Sequence, residues 1–264
     1  MEYYLIHIQY LGFRFHGWQR QPGVKTVESM VAKTLAFVLG HKDFKILGTS
    51  RTDAMVSAAC SAFELFIEEA VDPVSFSEEM NRNLPPDIRV LSVESVGPEF
   101  NIINTPRTKT YLYLFSCGQK PHPFCAPLMA GFPEDLDITL MQKGAEVFKG
   151  THDFTRYCTQ PGTDTCCERE VLVSRIRENT LYTASFFPEQ TWMYQVRAKG
   201  FMRHQVRLMM GQLIALGRGR ITLEDLQASL AGPHPGPLDT IAPASGLILH
   251  RIDFESKGPG ESHG

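Results

Sequence analysis

The sequence has no cysteine pair spaced as C-x-x-C. Its six cysteines, Cys60, Cys117, Cys125, Cys158, Cys166 and Cys167, form no set with metal-ligand spacing. Zinc-finger and thioredoxin-like readings are therefore disfavoured, and no metal or cofactor is expected. Scattered free thiols suit a reducing compartment, so a cytoplasmic location is expected. The adjacent Cys166 and Cys167 read as incidental. No apolar run is long enough to span a bilayer, so no membrane association is expected. Glu2 and His7 interrupt the N-terminal run that a secretory signal would require. An excess of positive charge is also lacking: 26 basic against 29 acidic side chains give −3 over 264 residues. The sum does not announce a nucleic-acid binder.

The distribution of charge says more than its sum. No acidic residue lies between Glu189 and Glu224, a stretch that carries Arg197, Lys199, Arg203, Arg207, Arg218 and Arg220. A second acid-free stretch, from Glu2 to Glu28, carries Arg14, Arg20 and Lys25, while acids gather at Glu64, Glu68, Glu69 and Asp72. Such asymmetry fits one anion-facing surface, and equally a set of solvated faces.

The length and a hydrophobic content of 43% support a sizeable core, in one large domain or two closely packed ones. Strands are predicted at 3–10, 44–47, 58–67, 88–96, 110–116, 165–177, 181–187, 191–199 and 247–254. Helices are predicted from a Thr26 cap to about Leu39 with Gly40 as stop, within 75–84 after Asp72-Pro73, at 139–148, from about Met202 to Leu216, and at 222–230. The Pro-rich connector 121–127 divides an N-terminal half, 1–120, from a C-terminal half, 121–255. The tail 256–264 is expected to be disordered. The second half repeats the style of the first, as expected for two α/β halves around a central cleft.

Four segments are candidates for chemistry. The loop Gly48-Thr49-Ser50-Arg51-Thr52-Asp53-Ala54 places an aspartate between two strands, where a turn or cap is the commoner role. In the helix after Gly200, Arg203 and Arg207 share a side with Met210 and Ile214, so an arginine either snorkels at the core margin or holds a carboxylate or phosphate. In the strand Arg107-Thr108-Lys109-Thr110-Tyr111-Leu112-Tyr113-Leu114-Phe115, alternation puts Tyr111, Tyr113 and Phe115 on one face. By default that face is core, and Tyr111 at its start is equally placed to stack on a base. The loop from Tyr10 to Pro22 interleaves Phe13, Arg14, Phe15, Trp18, Gln19 and Arg20 with glycines, a composition that suits RNA contact and also an ordinary aromatic loop.

Taken in order, these segments are more specific than any one alone. Tyr10–Gln21 reads Y-x-G-x-x-F-x-G-W-Q-x-Q. It is followed by S-R-T-D-A at Ser50–Ala54, Tyr111, F-K-G-T-H-D-F at Phe148–Phe154, G-F-x-x-x-x-V-R-x-x-x-G at Gly200–Gly211, and A-P-A-x-G-L at Ala242–Leu247. In this joint pattern the chain, from about Tyr3 to Phe254, resembles the TruA-type pseudouridine synthases. The resemblance implies an α+β fold with a mixed, mainly antiparallel sheet, a homodimer that binds tRNA, and conversion of uridine to pseudouridine in the anticodon arm without metal or cofactor. It implies that Asp53 is the essential aspartate, Arg207 its partner and Tyr111 the active-site tyrosine. It also implies that Arg51 helps extrude the target nucleotide, a step that costs a few kcal/mol. Arg14, Trp18, Gln19, Arg20, Lys109, Arg203 and His204 are the further RNA-contact candidates. Asp53 would attack either the ribose carbon or the pyrimidine ring.

The chain departs from the family pattern G-R-T-D-A-G-V-H-A at Ser50, Met55 and Ser57. If residue 55 takes a positive φ, methionine is strained there and its side chain crowds the cleft. Where the family often has F-H-A-R, this chain has Phe100-Asn101-Ile102-Ile103, so a basic contact is missing. Rival expectations are an inactive RNA-binding paralogue, a synthase for a different RNA, and an unrelated hydrolase or metal enzyme using His152 and Asp153.

Overall fold

In the computed structural model, which describes residues 1–160, 166–231, 238 and 240–254, one mixed sheet of ten strands runs through both halves. The tail 256–264 lies outside the described residues. The strands are β1 (Glu2–Tyr10), β2 (Phe44–Gly48), β3 (Ser57–Ile67), β4 (Ile88–Val96), β5 (Arg107–Cys117), β6 (Ala130–Phe132), β7 (Gly150–Asp153), β8 (Glu168–Glu178), β9 (Trp192–Ala198) and β10 (Leu247–Phe254). Their order is β4-β1-β3-β10-β5-β9-β8-β7, with β2 added to β3 and β6 to β5. Only β10–β3 and β5–β6 are parallel; the other pairs are antiparallel. The fold is thus α+β with a mixed, mainly antiparallel sheet.

The helices are α1 (Val27–Leu39), α2 (Pro73–Asn83), α3 (Ile138–Val147), α4 (Gln205–Gly217) and α5 (Leu223–Ala228). Local chemistry sets their ends. Thr26 and Ser29 form a reciprocal capping box at α1, and Gly40 closes it in the left-handed region. Asp72 accepts the Ser75 N–H and Pro73 starts α2. Asp137 and Thr222 cap α3 and α5. No helix of the described residues is long and apolar enough to cross a membrane.

Two large cores share this sheet, beside smaller clusters around Leu5, Ala62 and Ile102 and around Leu114, Cys125 and Met129. One packs Ile6, Ile8, Phe63 and Leu65 against Val27, Val31, Leu35, Phe76 and Met80. The other packs Tyr113, Phe115, Tyr194 and Val196 against Met141, Ala145, Met209 and Leu213. The last strand joins them: β10 lies between β3 and β5, with Leu249 and Ile252 in the first core and Leu247 in the second.

Three details differ from the sequence expectation. Residues 181–187 form turns rather than a strand. The Asn179 side chain accepts the Leu181 and Tyr182 N–H groups and donates to the Tyr182 carbonyl, capturing groups a strand would need. Helix α4 begins at Gln205 rather than Met202, because His204 is left-handed at φ 61°. The strand expected from Thr165 runs over Glu168–Glu178 in β8, Thr165 itself lying outside the described residues. The short strands β6 and β7 carry too few residues to show a period.

Leu249→Ala removes a fully buried side chain at this junction. It is expected to lower unfolding free energy by ~2–5 kcal/mol, read from urea unfolding followed by circular dichroism.

Candidate active site

The loop Thr49–Val56, between β2 and β3, is gripped from behind by the segment that follows β1. Trp18 N–H donates to the Thr52 carbonyl at 3.2 Å, and Met55 N–H to the Phe15 carbonyl at 3.0 Å. The Tyr10 hydroxyl bonds Thr52 Oγ1 at 2.8 Å, and Gly12 N–H donates to Ser57 Oγ at 2.9 Å. The approach is too close for side chains: a Cβ on Gly12 would sit 2.0 Å from the Val56 carbonyl oxygen. One on Gly17, where φ is +82°, would sit 2.4 Å from that of Thr52.

This geometry corrects part of the sequence reading. Trp18 is only 3% exposed and packs between Tyr10 and Phe63, so its ring is not presented to a base. Arg14 is paired with Asp87, and neither Arg14 nor Arg20 is among the side chains that line the cleft holding Asp53.

That cleft measures about 1060 Å³ and brings Gln19, Arg51, Asp53, Lys109, Tyr111, Arg203, His204 and Arg207 together. Its volume lies at the top of the ~300–1,000 Å³ range of ligand pockets. His16, Gln21, Thr49, Phe201, Met202 and Ser245 also line it and were not singled out from the sequence.

Asp53 faces the first turn of α4. Arg207 Nη1 donates to its Oδ2 at 3.3 Å, and His204 Nε2 lies 3.4 Å from the same oxygen. Arg207 is itself fixed, since its Nε donates to the Ala242 carbonyl at 2.9 Å while the Ala242 N–H donates to the Arg207 carbonyl at 3.1 Å. The Tyr113 hydroxyl donates to the Pro243 carbonyl at 2.8 Å. The A-P-A segment is thereby tied to both α4 and β5.

Tyr111 packs edge-on against Phe201 at 5.4 Å. Burial, with the Tyr10 hydroxyl and the Asp53 charge nearby, pushes its phenol well above the ordinary tyrosine range, so it is neutral. Burial lowers His204, and Arg207 and Arg203 add to the shift while Asp53 opposes it; the ring is neutral at pH 7. Lys109, whose Nζ donates to the Thr49 carbonyl at 3.0 Å, is lowered to about 8 by burial and then by Arg107.

Met55 takes φ 68°, as feared for a non-glycine residue here, and its side chain, 36% exposed, lines the cleft. Ser57 is buried as the acceptor for Gly12. Ile103 is exposed and does not line the cleft. Among the described residues no cluster of three or more His, Cys, Asp or Glu side chains is arranged to hold a metal; His152 bonds the Lys149 carbonyl and Asp153 the backbone N–H of Thr155.

Two outcomes are expected. Met55→Gly should raise the unfolding free energy by up to ~1 kcal/mol. Relief of ~1–2 kcal/mol of left-handed strain exceeds the ~0.5–1 kcal/mol that glycine costs, and thermal melts would read the change. The Lys109 amine should titrate with a midpoint of about 8 by NMR of labelled lysine, against ~10.4 for a free side chain. Between those values the unfolded chain binds the extra proton, so this residue's contribution to stability rises with pH across that window.

Comparison with known proteins agrees with this geometry. A family model described as tRNA pseudouridine synthase matches residues 145–255. The tRNA pseudouridine synthase A of Solibacter usitatus is 33% identical over 249 residues, covering 94% of this chain and 98% of that protein. The protein of the same name from Streptococcus equi subsp. equi is 30% identical over 256 residues, 97% of this chain and all of the relative. That of Shouchella clausii is 28% identical over 247 residues, 94% of this chain and 91% of the relative. With its aspartate loop, arginine-bearing helix and cleft accounted for, and with relatives this similar over nearly its whole length, the chain belongs to the tRNA pseudouridine synthase A family.

Proposed function

We propose that this chain isomerises uridine to pseudouridine in tRNA, in the anticodon stem-loop, with Asp53 as nucleophile. The observation that carries the reading is the Asp53 carboxylate, held by Arg207 at 3.3 Å and lining the same large cleft as Tyr111.

The reaction breaks the C1′–N1 bond, turns the freed uracil and forms a C1′–C5 bond; C5 loses a proton and N1 gains one. No electron is gained or lost, so no redox partner is required. Asp53 attacks as the carboxylate, held in place by the hydrogen bond from Arg207. The base has first to leave its stack, at a cost of a few kcal/mol that is least in a loop. Exposed Arg51, on the aspartate loop, is placed to hold the backbone as the nucleotide turns out. Because burial keeps Tyr111 neutral, its ring serves as a stacking surface and its hydroxyl as a hydrogen-bond partner rather than a resident phenolate.

Gln19, Lys109, Arg203 and His204 line the walls where phosphates and sugars would pass. A homodimer in the cytoplasm, acting without metal or cofactor, completes the proposal and rests on the family resemblance. A uridine outside the anticodon arm is the second reading. It is favoured by the Met55 side chain, which stands in the cleft where the family commonly has glycine.

The test is pseudouridine mapping on unmodified tRNA, beside Asp53→Ala. Product in the anticodon arm, lost by at least ~10⁴-fold in the variant, is the expected outcome for removal of a nucleophile. Product elsewhere in the tRNA would support the second reading. RNA binding without product from the parent protein would leave an RNA-binding paralogue.

A further inference from the structure

Helix α4 starts on a strained residue whose side chain does not cap it. His204 occupies the N-cap position at φ 61°, ψ 4°, and makes no hydrogen bond to the helix's free N–H groups. A left-handed histidine costs ~1–2 kcal/mol, and such strain persists where surrounding contacts determine it. Here those contacts come from Thr159 and Asp53. Nδ1 is 2.8 Å from Thr159 Oγ1, on a segment remote in sequence, and Nε2 is 3.4 Å from Asp53 Oδ2. The Thr159 segment is docked in turn: its N–H donates to the Arg203 carbonyl at 3.3 Å, and Arg203 Nη1 donates to Gln160 Oε1 at 2.8 Å.

The carboxylate fixes how this chain is protonated. A neutral imidazole has one N–H and one lone pair. A lone pair on Nε2 facing Asp53 would be repelled, so the proton sits on Nε2 and Nδ1 accepts from the Thr159 hydroxyl. The charged groups around the ring are Asp53, Arg203 and Arg207; the two arginines oppose a third positive charge. Oδ2 then faces two donors, a cationic one from Arg207 and a neutral one from His204, which leaves Oδ1 for the reacting carbon.

We propose that His204, locked in its Nε2–H form by Thr159, is a positioning residue that holds the Asp53 carboxylate in the orientation for attack. This rests on Asp53 being the nucleophile. The 3.4 Å contact is long for a hydrogen bond and belongs to the free enzyme; contacts of this kind tighten when substrate closes the site. Thr159 acts only through the ring, so its effect should vanish when the ring is gone.

The experiment measures kcat and KM for pseudouridine formation on tRNA with the full chain, using His204→Leu, His204→Gln, Thr159→Val and the His204→Leu/Thr159→Val double variant. Thermal melts and tRNA-binding measurements run on each. Leucine at 204 should lower kcat by ~10–100-fold, the scale of one lost bond to a charged group, with a much smaller change in KM because His204 is one of several groups along the cleft wall. Glutamine, which keeps a donor near the Nε2 position, should restore most of it. Valine at 159 should lower kcat by ~2–10-fold alone and add nothing in the double variant. Should His204→Leu fail to fold, Thr159→Val and His204→Gln still decide the matter. An unchanged kcat in Thr159→Val, or additive losses in the double variant, would overturn the proposal while Asp53→Ala stays inactive. Activity surviving in Asp53→Ala would instead remove the reading on which it rests.

Discussion

The ion pair between Asp53 and Arg207 spans 154 residues of sequence and joins the loop after β2 to the first turn of α4. Much of the remaining architecture keeps those two groups at that separation. The aspartate loop cannot be rigid by itself, since its residues are short, polar and without regular backbone pairing. It is made rigid by the segment behind it, where two glycines allow main chain to lie against main chain and Trp18 fills the space beneath. On the other side, Arg207 exchanges two hydrogen bonds with Ala242, and the strand that follows, β10, is inserted between β3 and β5. The two sides of the cleft are therefore held by one continuous sheet, which limits their relative movement.

This arrangement gives the aromatic loop a different job from the one its composition suggests. Interleaved Phe, Arg, Gly and Trp fit a surface that stacks on bases. In three dimensions Phe15 and Trp18 turn inward as a clamp, while His16, Gln19 and Gln21 reach the cleft. The segment supports the aspartate loop from behind, and of its residues His16, Gln19 and Gln21 line the cleft.

Electrostatics follow the same separation of labour. A chain with net charge −3 presents Arg51, Lys109, Arg203 and Arg207 to one cleft, so the local field there differs in sign from the sum. Burial then tunes individual members: His204 and Tyr111 stay neutral, and Lys109 titrates within reach of physiological pH. Fixed cations along the wall and neutral donors beside the Asp53 carboxylate are the combination that the proposed reaction on a polyanion calls for.

The sequence by itself determined the helices with strong caps and most strands with alternating or continuous apolar character, and its joint motifs singled out Asp53, Tyr111 and Arg207, which line one cleft. These are local patterns or joint motifs, and the physical preferences behind them act within a few residues. It marked position 55 as one where methionine would be strained at a positive φ, and the structure supplied that φ of 68°. Only the tertiary structure decided that residues 181–187 turn, because the Asn179 side chain captures backbone groups that pattern alone assigns to a ladder. Only it decided that Trp18 is core, since β-period and loop composition do not say which side of a loop meets another chain segment. The link from Thr159 through His204 to Asp53 belongs to the same class. Its members lie on three separate segments, and no local propensity encodes a contact that exists only once the whole sheet has brought those segments together.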